Sequence, residues 1–359
     1  MFHVERSDDN GGMNPRAIVL ALIAALTFGA GAPVAKAMLG AVDPWILAGL
    51  LYLGAGVGLG TIRLVRSNAG EAPLRRSDLP RLGVVILAGG VLGPLLLMSG
   101  LARTSAATAS LTLNVEAIAT MAIAWIVYRE PVDRRLLLGA AAIVAGACVL
   151  AWTGPARLDV GMLLVAGACL CWGIDNNVSR QLTHADPVAL AAIKGLAAGT
   201  VNLMLGLVVG ARLPAAAPMA SGLLLGLIAY GMSLVLYLRA MRELGAARTS
   251  AYFGLAPFAG ALIAVVAFGD PVTLRLAAAG ALMAIGVWLH VTERHDHEHD
   301  HPALEHEHRH VHDEHHAHAH SPEDPAGEPH SHTHQHQPMT HRHPHAPDLH
   351  HRHGHDRVV

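Results

Sequence analysis

Charge is scarce in this chain. Of its 359 residues only 14% are Asp, Glu, Lys or Arg, while 52% are hydrophobic. Soluble domains carry roughly 25% charged residues, so most of this sequence is not written for water. Cysteine is scarcer still. The three present, Cys148, Cys169 and Cys171, all fall within apolar stretches, which excludes a disulfide framework. Cys169 and Cys171 stand two apart on a helix, face opposite sides and make a poor chelate, so they read as small buried hydrophobes. Also missing are a glycine-rich phosphate loop followed by Lys and Ser or Thr, a metalloprotease HExxH and a serine nucleophile elbow. ATP-driven pumping and hydrolysis by this chain therefore lack support, and the reading is of a non-enzyme with no nucleic-acid partner. Histidine, abundant at the C-terminus, is nearly absent before it: between residues 16 and 291 only His184 and His290 occur.

What is present is a series of apolar runs of about 20 residues, the length that crosses a hydrocarbon core as helix. Ten are legible, at 16–38, 44–65, 81–101, 105–128, 134–152, 159–182, 187–210, 218–241, 247–268 and 272–291. Short segments between them hold most of the arginines and prolines. The basic start, apolar core and small-residue string AKA at 35–37 of the first run resemble a cleaved signal peptide. An internal repeat argues against cleavage. Glu130-Pro131-Val132 and Asp270-Pro271-Val272 lie 140 residues apart, and the same offset pairs Ala106-Ala107 with Ala246-Ala247, Ser110 with Ser250, Arg135 with Arg275 and Gly146 with Gly286. A looser match sets Phe28-Gly29 against Trp172-Gly173 and Asp43-Pro44 against Asp186-Pro187. The first run thus has a counterpart in the sixth. Each half holds five helices, and an odd number forces the second half to enter the membrane upside down.

Arginine placement gives an independent test, because Lys and Arg accumulate in cytoplasmic loops. With the N-terminus inside, fifteen arginines fall on the cytoplasmic side and five Lys or Arg on the other, so both termini are expected in the cytoplasm of a bacterial plasma membrane. The expected fold is an all-α integral membrane protein with ten transmembrane helices in two inverted five-helix repeats. Its parts are a cytoplasmic segment (1–15), the repeats (16–152 and 159–291) and a tail (292–359). Inverted repeats that meet near the midplane recur in transporters, where the halves rock to expose one site to either side.

The stretch LARTSAATASLTLNVEAIATMAIAWIVYREPVDRRLLLGAAAIVAGACVL and its weaker echo RELGAARTSAYFGLAPFAGALIAVVAFGDPVTLRLAAAGALMAIGVWL resemble the two EamA domains of the drug/metabolite transporter superfamily. The resemblance covers about residues 16–291, and its most specific elements are the small-residue run entering the fourth and ninth helices and the acid-Pro pair closing them. It implies ten transmembrane helices, cytoplasmic termini and a central cavity for amino acids, purines, sugars, metabolites or drugs. Many members carry proline in the fourth helix where Ala117 stands here. Only the second repeat has it, as Pro257, so a proline hinge is expected in that half alone.

Ionisable residues at a helix centre cost about 2.5 to 3.5 kcal/mol on insertion scales, so they tend to face the bundle interior and to be functional. Glu116, Asp175 and Lys194 meet that description, and Lys36 lies nearer a helix end, from which it can snorkel to the interface. Thr112, Glu116 and Thr120 are spaced to share a face, as are Cys171, Asp175 and Ser179. Asn114 is about 200° round from Glu116, and Asn176 and Asn177 point away from Asp175 toward neighbouring helices. The candidate cavity set is Glu116, Asp175, Lys194, Asn114, Asn177 and Trp172. Against a cavity role stands interhelical glue, worth under about 2 kcal/mol per contact; Asp175 can pair with Lys194 in either case. A membrane carboxylate that takes up and releases a proton can also couple transport to a gradient. The glycines at 54–60 and Gly89, Gly93, Gly195 and Gly199 read as close-packing positions, and Pro33, Pro94 and Pro257 as kinks.

From His295 to His355 the tail holds 23 histidines in 61 residues, mostly alternating. Almost without apolar residues, it has no means to fold alone and is expected to be disordered. Neutral imidazole ligates Zn, Ni or Co, and alternation supplies overlapping sites at His295, His297, His299, His301, His306, His308, His310, His312, His316, His318, His320, His332, His334 and His336. Transport itself requires no cofactor on this reading. Three functions remain open: an exporter of a small organic solute with a metal-buffering tail, a divalent-metal transporter whose tail gathers the ion, and a non-transporting anchor for a metal store. The expected partners are the lipid bilayer, a small-molecule substrate and divalent metal ions at the tail, with the chain acting as a monomer or homodimer.

Overall fold

The computed structural model describes residues 15–65, 74–130, 132–154, 157–182 and 186–292, and in the tail the backbone of 295–301, 304–310, 330–336 and 339–345. Among the described residues ten helices are long and apolar enough to cross a membrane. They are α1 (Pro15–Met38), α2 (Pro44–Val65), α3 (Arg76–Leu101), α4 (Ala106–Tyr128), α5 (Arg134–Ala151), α6 (Val160–Leu182), α7 (Pro187–Val208), α8 (Ala216–Met241), α9 (Arg248–Phe268) and α10 (Leu274–Val291).

Their starts are written in the sequence. The Asp-Pro pairs at 43–44 and 186–187 open α2 and α7: Asp43 Oδ1 accepts from Trp45 N at 2.8 Å and Asp186 Oδ1 from Val188 N at 2.8 Å, while proline at the first helical position gives up a donor that has no partner there anyway. Asp133, Asp159 and Thr273 cap α5, α6 and α10 in the same way. The ends of α4 and α9 also match across the repeat. Arg129 and Gly269 both adopt the left-handed conformation that stops a helix, and the next residues, Glu130 and Asp270, donate their N–H groups to Ala124 O and Ala264 O, each at 3.1 Å. The acid-Pro motif is thus a helix stop.

The packing crosses between halves. α1 lies on α8 and α9, α6 lies on α3 and α4, α2 pairs with α7, and α5 pairs with α10. The largest core joins Ile46, Leu47 and Leu51 of α2 to Met98 and Leu101 of α3 and Val165 of α6; a second forms between α5 and α10 around Ile143, Leu150 and Met283. Where α2 meets α7 the backbones touch: a Cβ on Gly199 would lie 2.5 Å from Leu53 N, and one on Gly195 2.7 Å from Gly56 Cα. The glycines there do serve close packing. Two further glycines mark equivalent crossings, Gly29 against Ala256 and Gly260 on α9, and Gly173 against Ala119 and Thr120 on α4. Outward-facing Leu64, Val65, Ile126, Val127 and Val266 are exposed as lipid contact requires, and Trp125, Trp152 and Trp288 sit exposed toward helix ends, where indole suits the membrane interface.

Two departures from plain α-helix come in repeat-related pairs. α3 widens to π-helix over Ile86–Leu92 and α8 over Gly226–Met232, 140 residues on. α4 breaks at Leu113 and Asn114 and α9 at Gly254 and Leu255. The first half therefore breaks as well, but at a point that carries no proline. Pro257 follows the break in α9, whereas in α4 Asn114 supplies the means: its N–H bonds Leu111 O at 3.1 Å, and its Nδ2 donates to the same carbonyl at 2.8 Å.

Among the described residues of the tail the backbone forms two antiparallel pairs, His295–His301 with Met339–His345 and Leu304–His310 with His330–His336. The rest of the tail, and with it the expectation that the tail as a whole is disordered, lies outside the described residues.

Candidate functional site

The chain has only two lysines, and both are inside membrane helices. In α7, Lys194 Nζ pairs with Asp175 Oδ2 of α6, and Ser179 Oγ, one turn on, donates to Asp175 Oδ1 at 3.0 Å. Asp175 is 4% exposed, so both its oxygens are satisfied within the protein. Its other wall is Gly89 of α3, where any side chain would collide with the carboxylate. Glu116 lies on the second segment of α4 and accepts from Asn176 Nδ2 at 2.9 Å; the same amide reaches Thr120 Oγ1 at 3.2 Å. Asp175 and Lys194 are within electrostatic reach of Glu116. Two carboxylates and one ammonium from three helices therefore converge, and Glu116 is held by an amide rather than a cation.

Aromatic rings form a second wall. Tyr52 of α2 and Tyr230 of the π segment in α8 have centroids 6.2 Å apart, and Phe28 of α1 meets Tyr230 edge-on at 5.7 Å and Phe253 at 5.1 Å. Tyr52 is within electrostatic reach of Asp175, Tyr230 and Glu116. Both halves thus supply the site.

The π segment of α3 explains several of these positions. Gly93 N–H bonds Ala88 O, and the following residue, Pro94, has no N–H to offer the carbonyls of Gly89 and Gly90. A bare carbonyl at membrane depth is costly. Side chains from other helices take the place of the missing donor: Tyr52 Oη donates to Gly89 O at 2.8 Å, Trp172 Nε1 to the same oxygen at 3.0 Å, and Asn202 Nδ2 of α7 to Gly90 O at 3.0 Å. Trp172, a candidate cavity residue, is thereby fixed by its indole N–H beside Gly93.

Of the six cavity candidates, Glu116, Asp175, Lys194 and Trp172 come together. Asn114 and Asn177 do not join them. Asn114 turns toward α10, with Met283 Sδ 3.9 Å away, because its amide is used at the α4 break. Asn177 is 2% exposed and donates to Thr120 O at 2.9 Å and Gly173 O at 2.8 Å, tying α6 to α4. Thr112 faces its own helix, donating to Thr108 O, and Cys169 Sγ packs 3.6 Å from Thr112 O. Sequence reasoning missed Phe28, Tyr52, Asn202 and Tyr230. For Tyr52 and Asn202 a signal existed: Gly89, Gly90 and Pro94 in succession announce carbonyls in need of donors. The metal-ligand candidates from His295 to His336 have side chains outside the described residues.

Residues 15–152 and 159–292 each match a family described as EamA-like transporters. A protein from Methanothermobacter thermautotrophicus named "Uncharacterized transporter" is 29% identical over 289 residues, which is 75% of this chain and 84% of that protein. A crystal structure shares the fold with a TM-score of 0.57 at 20% identity, covering 77% of this chain and 96% of its own.

Proposed function

Because the chain belongs to the EamA-like transporter family, we propose that it is a secondary exporter of a small organic metabolite or drug. Its cargo binds at Glu116, Asp175 and Lys194 against the rings of Tyr52, Trp172 and Tyr230. The observation that carries this reading is the buried Asp175–Lys194 pair beside an amide-held Glu116, at a point where helices of both halves meet. Charges are retained at membrane depth at a cost, and this cluster offers both signs and aromatic faces to a polar organic molecule. The protein sits in a bacterial plasma membrane with both termini in the cytoplasm, supported by the arginine asymmetry; reporter fusions after residues 156 and 291 test that orientation. On this reading the tail is a cytoplasmic metal buffer, and its alternating imidazoles suit Zn, Ni or Co.

The 23 tail histidines also favour a second reading, a transporter of the divalent metal itself. Against it, among the described residues no three His, Cys, Asp or Glu side chains group as a metal site. A growth-and-accumulation screen of a deletion strain against metals, amino acids and purines separates the two. An organic solute that builds up inside the deletion strain supports the first reading; altered Ni, Co or Zn content with no organic change supports the second.

A further inference from the structure

Lys36 and Asp270 take no part in the central cluster, yet the repeat sets them in a common role. The 144-residue offset that aligns the ends of α1 and α6, Met38 and Leu182, places Lys36 opposite Arg180. The 140-residue offset that aligns Arg129 with Gly269 places Glu130 opposite Asp270. At the face where α1 begins, Arg180 Nη2 donates to Glu130 Oε1 at 2.5 Å and Nη1 to Oε2 at 3.4 Å, tying the end of α6 to the end of α4. The same face carries Arg81 Nε to Gln181 Oε1 and Gln181 Nε2 to Tyr128 Oη, both 2.9 Å, so α3, α6 and α4 are cross-linked there. The repeat positions of Arg81, Gln181 and Tyr128 are Ser221, Ala37 and Phe268, and the last two lack polar side-chain atoms. Only the charged pair is retained at the opposite face.

In this structure that pair is apart. Lys36 Nζ donates to Leu101 O at 2.5 Å, and Asp270 Oδ2 accepts from Ala107 N, at the start of α4, at 2.8 Å. When the halves of an inverted repeat rock against each other, each takes up the arrangement its counterpart has left. A contact found in one half is then the contact expected in the other half in the alternate state. We propose that Lys36 and Asp270 form the ion pair that closes the opposite face in that alternate state, replacing Glu130–Arg180, and that the present structure is the state closed at the face where α1 begins. In the exchange Lys36 leaves Leu101 O, Asp270 leaves the α4 N-terminus, and Glu130 parts from Arg180. One charged pair is made as another is broken, which keeps the two states close in energy. The inference rests on the transporter reading, since it needs a chain that alternates, but on no particular cargo.

The test uses the full chain in membrane vesicles with Cys148, Cys169 and Cys171 replaced by serine. Lys36→Cys with Asp270→Cys is oxidised with copper phenanthroline. The double variant is expected to form an intramolecular disulfide and the single variants none. Adding Glu130→Gln removes the competing pair and should speed the cross-link about two- to fivefold, the shift expected for a partly exposed ion pair. No cross-link, or a rate indifferent to Glu130→Gln, overturns the proposal. A second readout does not need the cysteines to meet. Labelling of Asn176→Cys by a membrane-impermeant maleimide from the opposite face should rise with Lys36→Gln or Asp270→Asn and fall back with Lys36→Asp plus Asp270→Lys. Singles that label like the parent, or an exchanged pair that labels like the singles, refute it as well. Neither readout involves a transported solute, so failure here and failure to find an organic cargo are separate results.

Discussion

Removing Lys194 while leaving Asp175 strands a carboxylate that is only 4% exposed. Losing one partner of a buried pair costs about 3 to 5 kcal/mol, because the remaining charge keeps its desolvation penalty and loses its compensation. Two features place Lys194→Met at the low end, about 3 kcal/mol. Ser179 Oγ still donates to Asp175 at 3.0 Å, and the lysine side chain is itself 20% exposed, so some solvent already reaches the pair. Asp175→Asn should cost less, about 1 to 2 kcal/mol, since asparagine fills the same space against Gly89 and the flexible lysine can turn toward water. The double variant carries neither charge and should cost no more than Asp175→Asn alone. The cycle therefore predicts a coupling of about 3 kcal/mol, or more than a hundredfold in the folded-to-unfolded ratio. Thermal unfolding of the four proteins in detergent, followed by fluorescence size exclusion, measures it. Transport should be lost in all three variants, which separates recovered stability from lost function. Additive losses, with the double variant as unstable as the two singles together, would refute the buried pair.

Gly89→Ala puts a methyl group into the Asp175 carboxylate and should displace it from Lys194, with a loss of about 1 to 3 kcal/mol in the same unfolding assay. Trp172→Phe removes one of two donors to Gly89 O and should cost about 0.5 to 1.5 kcal/mol; adding Tyr52→Phe leaves that carbonyl bare and should cost more than the two singles summed. Truncation after Arg294 should abolish high-capacity Ni or Zn binding while the ten-helix part still inserts, as membrane fractionation and metal titration would show. In the full chain, tail binding should weaken as pH falls below about 6, because protons compete for imidazole with a reference pKa near 6.5.

Much of the fold was legible because membrane helices announce themselves by length and by their caps. The runs read at 44–65 and 134–152 are α2 (Pro44–Val65) and α5 (Arg134–Ala151), bounded by Asp-capped starts that follow from residue type. α3 starts at Arg76 rather than 81, since Pro80 falls in a first turn where proline is tolerated. The π segments and the break in α4 were not legible. A period of 3.6 cannot show one extra residue in a turn, and Asn114 reads as a polar lining residue until its bond to Leu111 O is seen. Within the site, charge was the readable signal, and Glu116, Asp175 and Lys194 stood out as costly. Tyr52, Tyr230 and Phe28 blend into apolar helices and gain meaning only through the cross-half packing that brings their rings together.

Whether Glu116 and Asp175 handle an organic cargo is decided by comparing the solutes released by cells that make the parent protein, Glu116→Gln or Asp175→Asn at matched membrane abundance. An organic solute should be exported by the parent and by neither variant. Equal export by both variants, or a change confined to Ni, Co or Zn, would contradict that role.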